Sequence, residues 1–96
     1  MNYGRPKHPR SRRSDAFQFH MNAHPICEAC RIVESYHAHH IVTRQTGGAE
    51  EDYNCLALCV VCHKEAHYMG RRSFAARYPH LEAKIKEACK RQGRKF

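Results

Sequence analysis

The sequence predicts a small α+β domain that is held together by a bound metal ion. Three observations support this prediction: a length of 96 residues, two Cys-x-x-Cys pairs, and a β-branched stretch followed by segments with helical spacing. A chain this short buries too little apolar surface to be stable without an additional cross-link. We expect the cysteine pairs to supply that cross-link by binding metal.

The basic residues are concentrated at the two ends of the chain. The formal net charge is +8, and nine of the 17 basic residues lie in residues 1–13 and 90–96. The residues between them carry eight basic and nine acidic side chains and are close to neutral. Basic ends on a neutral body favour a polyanionic partner such as DNA, although such runs also occur as solubilising tails.

Composition also sets the predicted domain boundaries. Pro6 and Pro9 stand among Arg, Lys and Ser in residues 1–13, where apolar side chains are almost absent. Such a composition is typical of a disordered basic tail. We expect the folded domain over residues 14–92 and a second, short basic tail over residues 93–96.

The first element of the domain is ambiguous in the sequence. Ser14 or Asp15 is a suitable N-cap for a short helix. The alternation of Phe17, Phe19 and Met21 fits a strand equally well. Both alternatives remain open for this segment.

Two cysteine pairs, Cys27 with Cys30 and Cys59 with Cys62, predict a tetrahedral zinc site with four cysteine ligands. Disulfides are less consistent with the sequence because no apolar N-terminal run resembles an export signal, and we expect a cytoplasmic protein. Redox dithiols are the other alternative, but no thioredoxin-like pattern of strand and helix surrounds either pair.

The two remaining cysteines, Cys55 and Cys89, are expected to be small buried residues. No segment approaches the roughly 18 to 20 consecutive apolar residues that are needed to cross a bilayer. No membrane partner is therefore predicted.

Two strands are predicted between the cysteine pairs. Residues 32–42 are rich in β-branched and aromatic side chains, and residues 54–58 lead into the second pair. A Gly-Gly dipeptide marks the loop between them, which gives a hairpin-like arrangement. His39 and His40 are consecutive on the first strand, so their side chains should point to opposite faces.

Helices are predicted after the second cysteine pair. His63 and His67 are four residues apart, which puts both imidazoles on one face of a helix that should end at Gly70. A short helix over residues 74–78 should stop before Pro79. A final packing helix is indicated by apolar residues at helical spacing: Leu81, Ile85 and Ala88.

These motifs, in this order and spacing, resemble the HNH nuclease family. The resemblance spans about residues 25–67 and rests on Cys27-x-x-Cys30, His39-His40-Ile41, Gly47-Gly48, Asn54, Cys59-x-x-Cys62-His63 and His67. It implies a ββα-metal, treble-clef-like core stapled by a four-cysteine zinc site, with flanking helices and basic disordered tails.

The resemblance also implies roles for individual residues. His40 corresponds to the general base, and Asn54 to the residue that holds the hairpin and orients that base. His39 and His63 correspond to ligands of a catalytic divalent ion, which would be Mn²⁺, Ni²⁺, Co²⁺, Zn²⁺ or Mg²⁺. His67 matches an additional C-terminal histidine that some members use as a metal ligand or phosphate contact.

Other polar residues have simpler interpretations. A less favoured alternative makes His39 and His67 the third or fourth ligand of a structural zinc that used only one cysteine pair. Three arginines are candidates for phosphate contacts with DNA: Arg44, Arg71 and Arg72. Four histidines match no part of the motif and are expected to be surface or packing residues: His20, His24, His37 and His80.

The sequence therefore predicts a metal-dependent HNH endonuclease that hydrolyses DNA phosphodiester bonds, by nicking or cutting, with little sequence preference. Phosphodiester hydrolysis requires a deprotonated water and a cation that stabilises negative charge on the phosphate. Histidine can accept the proton and can bind the cation. The alternative is a non-catalytic zinc module that binds nucleic acid, which would not need the His39-His40 pair together with Asn54 and His63. The oligomeric state is left open.

Overall fold

The computed structural model describes residues 13–96, which form a small α+β domain as predicted. Within this range, a two-stranded sheet is accompanied by four α-helices. The elements are α1 (Asp15–Ala23), β1 (His37–His40), β2 (Cys55–Leu58), α2 (Val60–Met69), α3 (Arg71–Arg77) and α4 (Glu82–Arg91). Short 3-10 turns lie at Arg44–Thr46, Asp52–Asn54 and Pro79–Leu81.

The ambiguous first segment is helical. The Ser14 hydroxyl oxygen accepts a hydrogen bond of 3.1 Å from the backbone N–H of Phe17 and caps α1. Phe17, His20 and Met21 are buried, whereas Phe19 is 72% exposed. Burial thus follows the helical repeat of 3.6 residues rather than the alternation, and the strand alternative is wrong.

The two strands are antiparallel, with His39 opposite Leu56 and His40 opposite Cys55. The hairpin-like pairing predicted between the cysteine pairs is therefore confirmed. Gly48 lies in the connecting loop, where a Cβ atom would approach the carbonyl oxygen of Val42 to 1.8 Å. Only glycine fits at this close approach, so the loop can fold tightly over the end of β1.

The first strand is shorter than the predicted residues 32–42. Ile32 and Val33 are exposed and lie in the bend that follows the first cysteine pair. The chain turns there through Arg31, whose φ of 62° is left-handed and incompatible with an extended strand. Only an isolated bridge between Ile26 and Glu34 precedes β1.

α2 begins directly after Cys59 and ends at Gly70, where φ is 83°, as the sequence predicts. The helix expected over residues 74–78 starts earlier, at Arg71. One continuous core joins the sheet to the helices, and its largest fully buried apolar side chains include Leu56, Leu58, Phe74 and Ile85. Cys55 and Cys89 are buried, as expected for small apolar residues.

The described residues at both ends of the domain are hydrogen-bonded to it. Residues 1–12 of the first tail lie outside the described residues, and Arg13 donates a hydrogen bond of 2.8 Å to the carbonyl of Tyr36. Residues 93–96 contact the domain: Arg94 donates to the carbonyl of Thr46, and Arg71 donates to that of Lys95. None of the helices formed by residues 13–96 has the length and apolar character that a membrane span requires.

Candidate metal and active sites

The four cysteines of the Cys-x-x-Cys pairs meet at one point. The sulfur atoms of Cys27, Cys30, Cys59 and Cys62 all lie within 4.8 Å of one another, and every member of the group except the half-buried Cys30 is buried. A tetrahedral zinc ion with Zn–S bonds of about 2.3 Å separates its sulfur ligands by roughly 3.8 Å. The arrangement fits the predicted four-cysteine set.

The cysteines differ in how readily they ionise. Hydrogen bonds from the backbone N–H groups of Val33 and Ile32 lower the pKa of Cys30 to about 7. Burial raises the pKa of Cys62 to about 12, although the Tyr78 hydroxyl lies 3.7 Å from its sulfur. Cys30 therefore favours a thiolate through its own backbone geometry, whereas Cys62 requires a nearby cation to become one.

Three histidines from two elements meet at a second point. His39 comes from β1, while His63 and His67 share one face of α2. One ring nitrogen of each lies within 4.8 Å of the other two, and the Nε2 atoms of His63 and His67 are 3.0 Å apart. The predicted ligand set of the catalytic ion is thus brought together, separately from the cysteines.

The environment of His39 suits a metal ligand. Its Nδ1 atom is buried and has no hydrogen-bond partner within residues 13–96. Burial, followed by repulsion from the neighbouring imidazoles, lowers the pKa of His39 to about 3. The same two causes lower the pKa of His63 to about 4. Both rings are neutral near pH 7, which is the protonation state in which imidazole binds metal.

His40 points away from these three rings, as expected for the next residue on a strand. Its Nε2 atom lies 2.5 Å from the Glu50 carboxylate, and its ring packs against Phe17 at a centroid distance of 4.5 Å. The pair with His40, which outweighs partial burial of the carboxyl, lowers the pKa of Glu50. Glu50 thus fixes one nitrogen of His40, and the structure gives Nδ1 no hydrogen bond within residues 13–96.

Asn54 is fully buried at the end of the loop that joins β1 to β2. Its Oδ1 accepts a hydrogen bond of 2.8 Å from the Val42 N–H, and its Nδ2 donates to the carbonyls of Val42 and Ala49. A second donor to Oδ1 is the side chain of Gln92, at 2.9 Å. The amide therefore closes the loop immediately after the two histidines, as a hairpin-holding residue must.

A cleft of about 370 Å³ lies beside the three-histidine group and is lined by His40, His63, His67 and Arg44, among others. Of the three predicted phosphate contacts, only Arg44 lines this cleft. Arg71 and Arg72 instead contact the end of the chain, since Arg71 bonds the Lys95 carbonyl and Arg72 lies 5.7 Å from the Phe96 ring.

A larger groove of about 640 Å³ lies beside the second cysteine pair. It is lined mainly by exposed apolar side chains, including Ile32, Tyr36 and Val61. The smaller histidine cleft, by contrast, contains ionisable groups, among them the neutral imidazole of His63, which could bind a metal ion.

Three further polar residues take part in these networks, and the sequence analysis did not assign them to a site. Glu50 reaches His40 from a loop ten residues away, and no local pattern marks that pairing. His20, expected to be a packing residue, is buried between the carboxylates of Glu28 and Asp52 at 2.5 and 2.6 Å. The His37 ring packs against that of His63 at a tilt of 35°, and its position two residues before His39 on one strand was a usable signal.

Comparison with known proteins agrees with this geometry. Residues 22–68 match the model of the HNH endonuclease family. The chain is also similar to the type IV methyl-directed restriction enzyme EcoKMcrA of Escherichia coli K12, with 50% identity over 52 residues. That alignment covers 45% of this chain and 19% of the relative, so the chain spans far less than the relative's length. No solved structure shows significant similarity to the chain. The segment from residue 22 to residue 68, which contains the four-cysteine cluster, the three-histidine cluster and the His39-His40 pair, belongs to the HNH endonuclease family.

Proposed function

We propose that this chain is a metal-dependent endonuclease that hydrolyses DNA phosphodiester bonds with little sequence preference. The observation that carries the proposal is that two consecutive histidines have different neighbours. His39 faces His63 and His67 on one side of β1, whereas His40 faces Glu50 on the other. One face can therefore hold a cation while the other holds a base.

The structural zinc would be held by Cys27, Cys30, Cys59 and Cys62. The spacing of their sulfur atoms fits the ion, and the burial of three of them removes competing water. The cysteines also join elements that are far apart in the chain, since one pair precedes β1 and the other borders α2. Zinc here would cross-link a core that is otherwise small.

The catalytic ion would be held by His39, His63 and His67. The unpartnered, buried Nδ1 of His39 supports this assignment, because a buried ring nitrogen without a hydrogen bond is otherwise costly. Three imidazoles favour Mn²⁺, Co²⁺, Ni²⁺ or Zn²⁺ over Mg²⁺ in intrinsic affinity. When bound, such an ion stabilises negative charge on the phosphate and on the leaving oxygen.

His40 would act as the general base. A neutral imidazole that donates its Nε2–H to Glu50 leaves the lone pair of Nδ1 free to accept a proton from water. The resulting hydroxide attacks phosphorus as the bond to the leaving oxygen breaks. Glu50 then stabilises the imidazolium that forms, and Phe17 limits rotation of the ring.

DNA as the substrate is supported by charge and by similarity. Arg44 lies in the histidine cleft with 65% of its side chain exposed, so it can reach a phosphate. The basic residues at both ends of the chain add an attraction that does not depend on sequence. The E. coli relative is named a restriction enzyme, which also supports DNA as the substrate.

A plasmid-nicking assay tests this proposal directly. Zinc-loaded protein should convert supercoiled plasmid to the nicked form when Mn²⁺ or Ni²⁺ is added, and His40→Ala protein should not. His80→Ala is the matched control, since it removes one imidazole outside the cleft. Binding of the plasmid without cleavage under any of these metals would instead support a non-catalytic zinc module.

A further inference from the structure

We propose that His37 is a positioning residue that holds the imidazole of His63 ready to bind metal. The inference rests on the metal site of the proposed function, but it concerns a residue outside the ligand set. His37 precedes His39 by two residues on β1, so both side chains lie on the same face of the strand. That face is the one that meets α2.

The contact between His37 and His63 differs from the other ring contacts of the cluster. Their centroids are 4.5 Å apart and their planes are inclined by 35°, which is closer to stacking than to an edge contact. His39 and His67 meet His63 at 74° and 63°, in T-shaped contacts. His37 is therefore the neighbour whose ring plane is nearest to parallel with that of His63.

His63 lacks the usual means of orientation. A histidine that binds metal commonly donates its second ring N–H to a carboxylate or a carbonyl, which fixes the ring. Within residues 13–96, the hydrogen bond formed by the His63 side chain is the one to Nε2 of His67. A neighbouring ring packed at a tilt of 35° can restrict the same rotation, because turning the His63 ring would disrupt the contact between the two rings.

His37 is itself held in place. The Tyr36 ring meets it edge-on at 5.0 Å and 88°, and the Tyr36 N–H donates a hydrogen bond of 2.8 Å to the carbonyl of Leu58. The backbone that carries His37 is thus tied to β2. Its ring does not join the compact group formed by His39, His63 and His67, so it supports the ligands rather than adding a fourth.

The test is the affinity of zinc-loaded protein for Ni²⁺, measured by titration calorimetry without DNA. His37→Ala should weaken Ni²⁺ binding about two- to tenfold, as expected for the loss of one aromatic pair. His37→Phe keeps a flat ring without nitrogen and should bind Ni²⁺ like the unmodified protein. His80→Ala is the control for the loss of an unrelated imidazole.

Two results would overturn the proposal. Equal losses in His37→Ala and His37→Phe would show that a nitrogen of His37 is needed, and unchanged affinity in both would show that stacking has no effect. Should His37→Ala fail to fold, His37→Gln provides the same comparison without a ring. Zinc content and thermal midpoint of each variant verify that the domain is intact.

The metal site itself is checked separately with His39→Ala. If this variant bound Ni²⁺ as tightly as the unmodified protein, the ligand set of the proposed function would be wrong and the role of His37 would be rejected with it. If His39→Ala lost Ni²⁺ binding and only the His37 comparison failed, the proposed function would stand and the positioning role would not.

Discussion

The side-chain amide of Asn54 bonds both backbone groups of Val42: it accepts from the N–H at 2.8 Å and donates to the carbonyl at 3.1 Å. Val42 lies two residues after His40, on the last segment before the connecting loop. The pairing substitutes for the strand partner that the backbone loses where the sheet ends. These two hydrogen bonds hold the end of β1 in place, and with it the position of His40 relative to Glu50 and to the cleft.

Replacing Asn54 should therefore damage stability and activity together. Asn54→Ala leaves the buried backbone groups of Val42 unpaired, at a cost of about 2 to 4 kcal/mol in the free energy of unfolding. Urea denaturation measures this loss, and plasmid nicking should fall with it. Asn22→Ala, on the exposed face of α1, is the control and should change the unfolding free energy little. Wild-type stability in Asn54→Ala would contradict the closing role of the amide.

His40 and His39 should give different defects when each is changed to alanine. His40→Ala removes the proposed base and should reduce the cleavage rate by roughly 10² to 10⁴-fold, with DNA binding and zinc content retained. His39→Ala removes a proposed metal ligand, so excess Mn²⁺ or Ni²⁺ should restore part of its activity. Rescue of His40→Ala by added metal would mean that the two roles are exchanged.

Loss of one ligand cysteine should unfold the domain. Structural zinc contributes about 10 to 16 kcal/mol of apparent binding free energy in small zinc domains, so Cys27→Ala cannot be compensated by the core. Cys89→Ala removes an equally buried cysteine outside the cluster and should keep one zinc per chain. Metal analysis and circular dichroism compare the two. Full zinc content in Cys27→Ala would refute the four-cysteine site.

The buried His20 should make stability depend on pH. Burial lowers its pKa, but the hydrogen bonds to Glu28 and Asp52 outweigh burial and raise it above 6.5. Stabilisation from the charged ring is therefore complete below pH 6.5 and is lost as the pH rises through the raised value. The pKa of Glu28 shifts in the opposite direction. Burial raises it, but the hydrogen bond to His20 opposes burial, and the net effect lowers this pKa below 4.5. Its contribution is present above pH 4.5 and is lost as the pH falls through the lowered value.

Comparing His20→Gln with the unmodified protein isolates this effect, because the substitution leaves the four clustered cysteines unchanged. The difference between their urea midpoints should be largest near pH 5 to 6 and smaller at pH 8. A difference that grew from pH 6 to pH 8 would show that His20 is held neutral rather than charged.

The first basic tail should control how DNA affinity depends on salt. Deleting residues 1–12 removes four basic side chains and keeps Arg13, which bonds the Tyr36 carbonyl. The slope of log affinity against log salt should become shallower by about 0.9 for each lost phosphate contact. An unchanged slope, measured by fluorescence anisotropy, would mean that the tail does not contact phosphate.

Local signals predicted the parts of the fold that local chemistry controls. The helical face shared by His63 and His67, the helix end at Gly70, and the opposite directions of His39 and His40 all follow from spacing of a few residues. The same is true of the cysteine pairs, because each Cys-x-x-Cys turn depends on its own four residues.

Contacts between distant segments could not be predicted in this way. Glu50 meets His40 through the shape of a loop, and His20 meets Asp52 across 32 residues. The length of β1 was overestimated because β-branched residues such as Ile32 suit an extended backbone. The turn at Arg31 decides the conformation there instead. In each case the conformation was decided by contacts or turns of other residues, and not by the secondary-structure preference of the residue itself.

Gln92 has a consequence for any attempt to shorten this protein. From the end of α4, its side chain accepts from the Ala49 N–H at 2.8 Å and donates to Asn54 Oδ1 at 2.9 Å. The segment shared with the family ends at residue 68, yet one support of the loop between β1 and β2 comes from 24 residues beyond that point. A fragment trimmed to the shared segment would keep all the proposed metal ligands and lose the hydrogen bonds by which Gln92 holds this loop. Exchange of nuclease modules between proteins should therefore carry the C-terminal helices along with the motif.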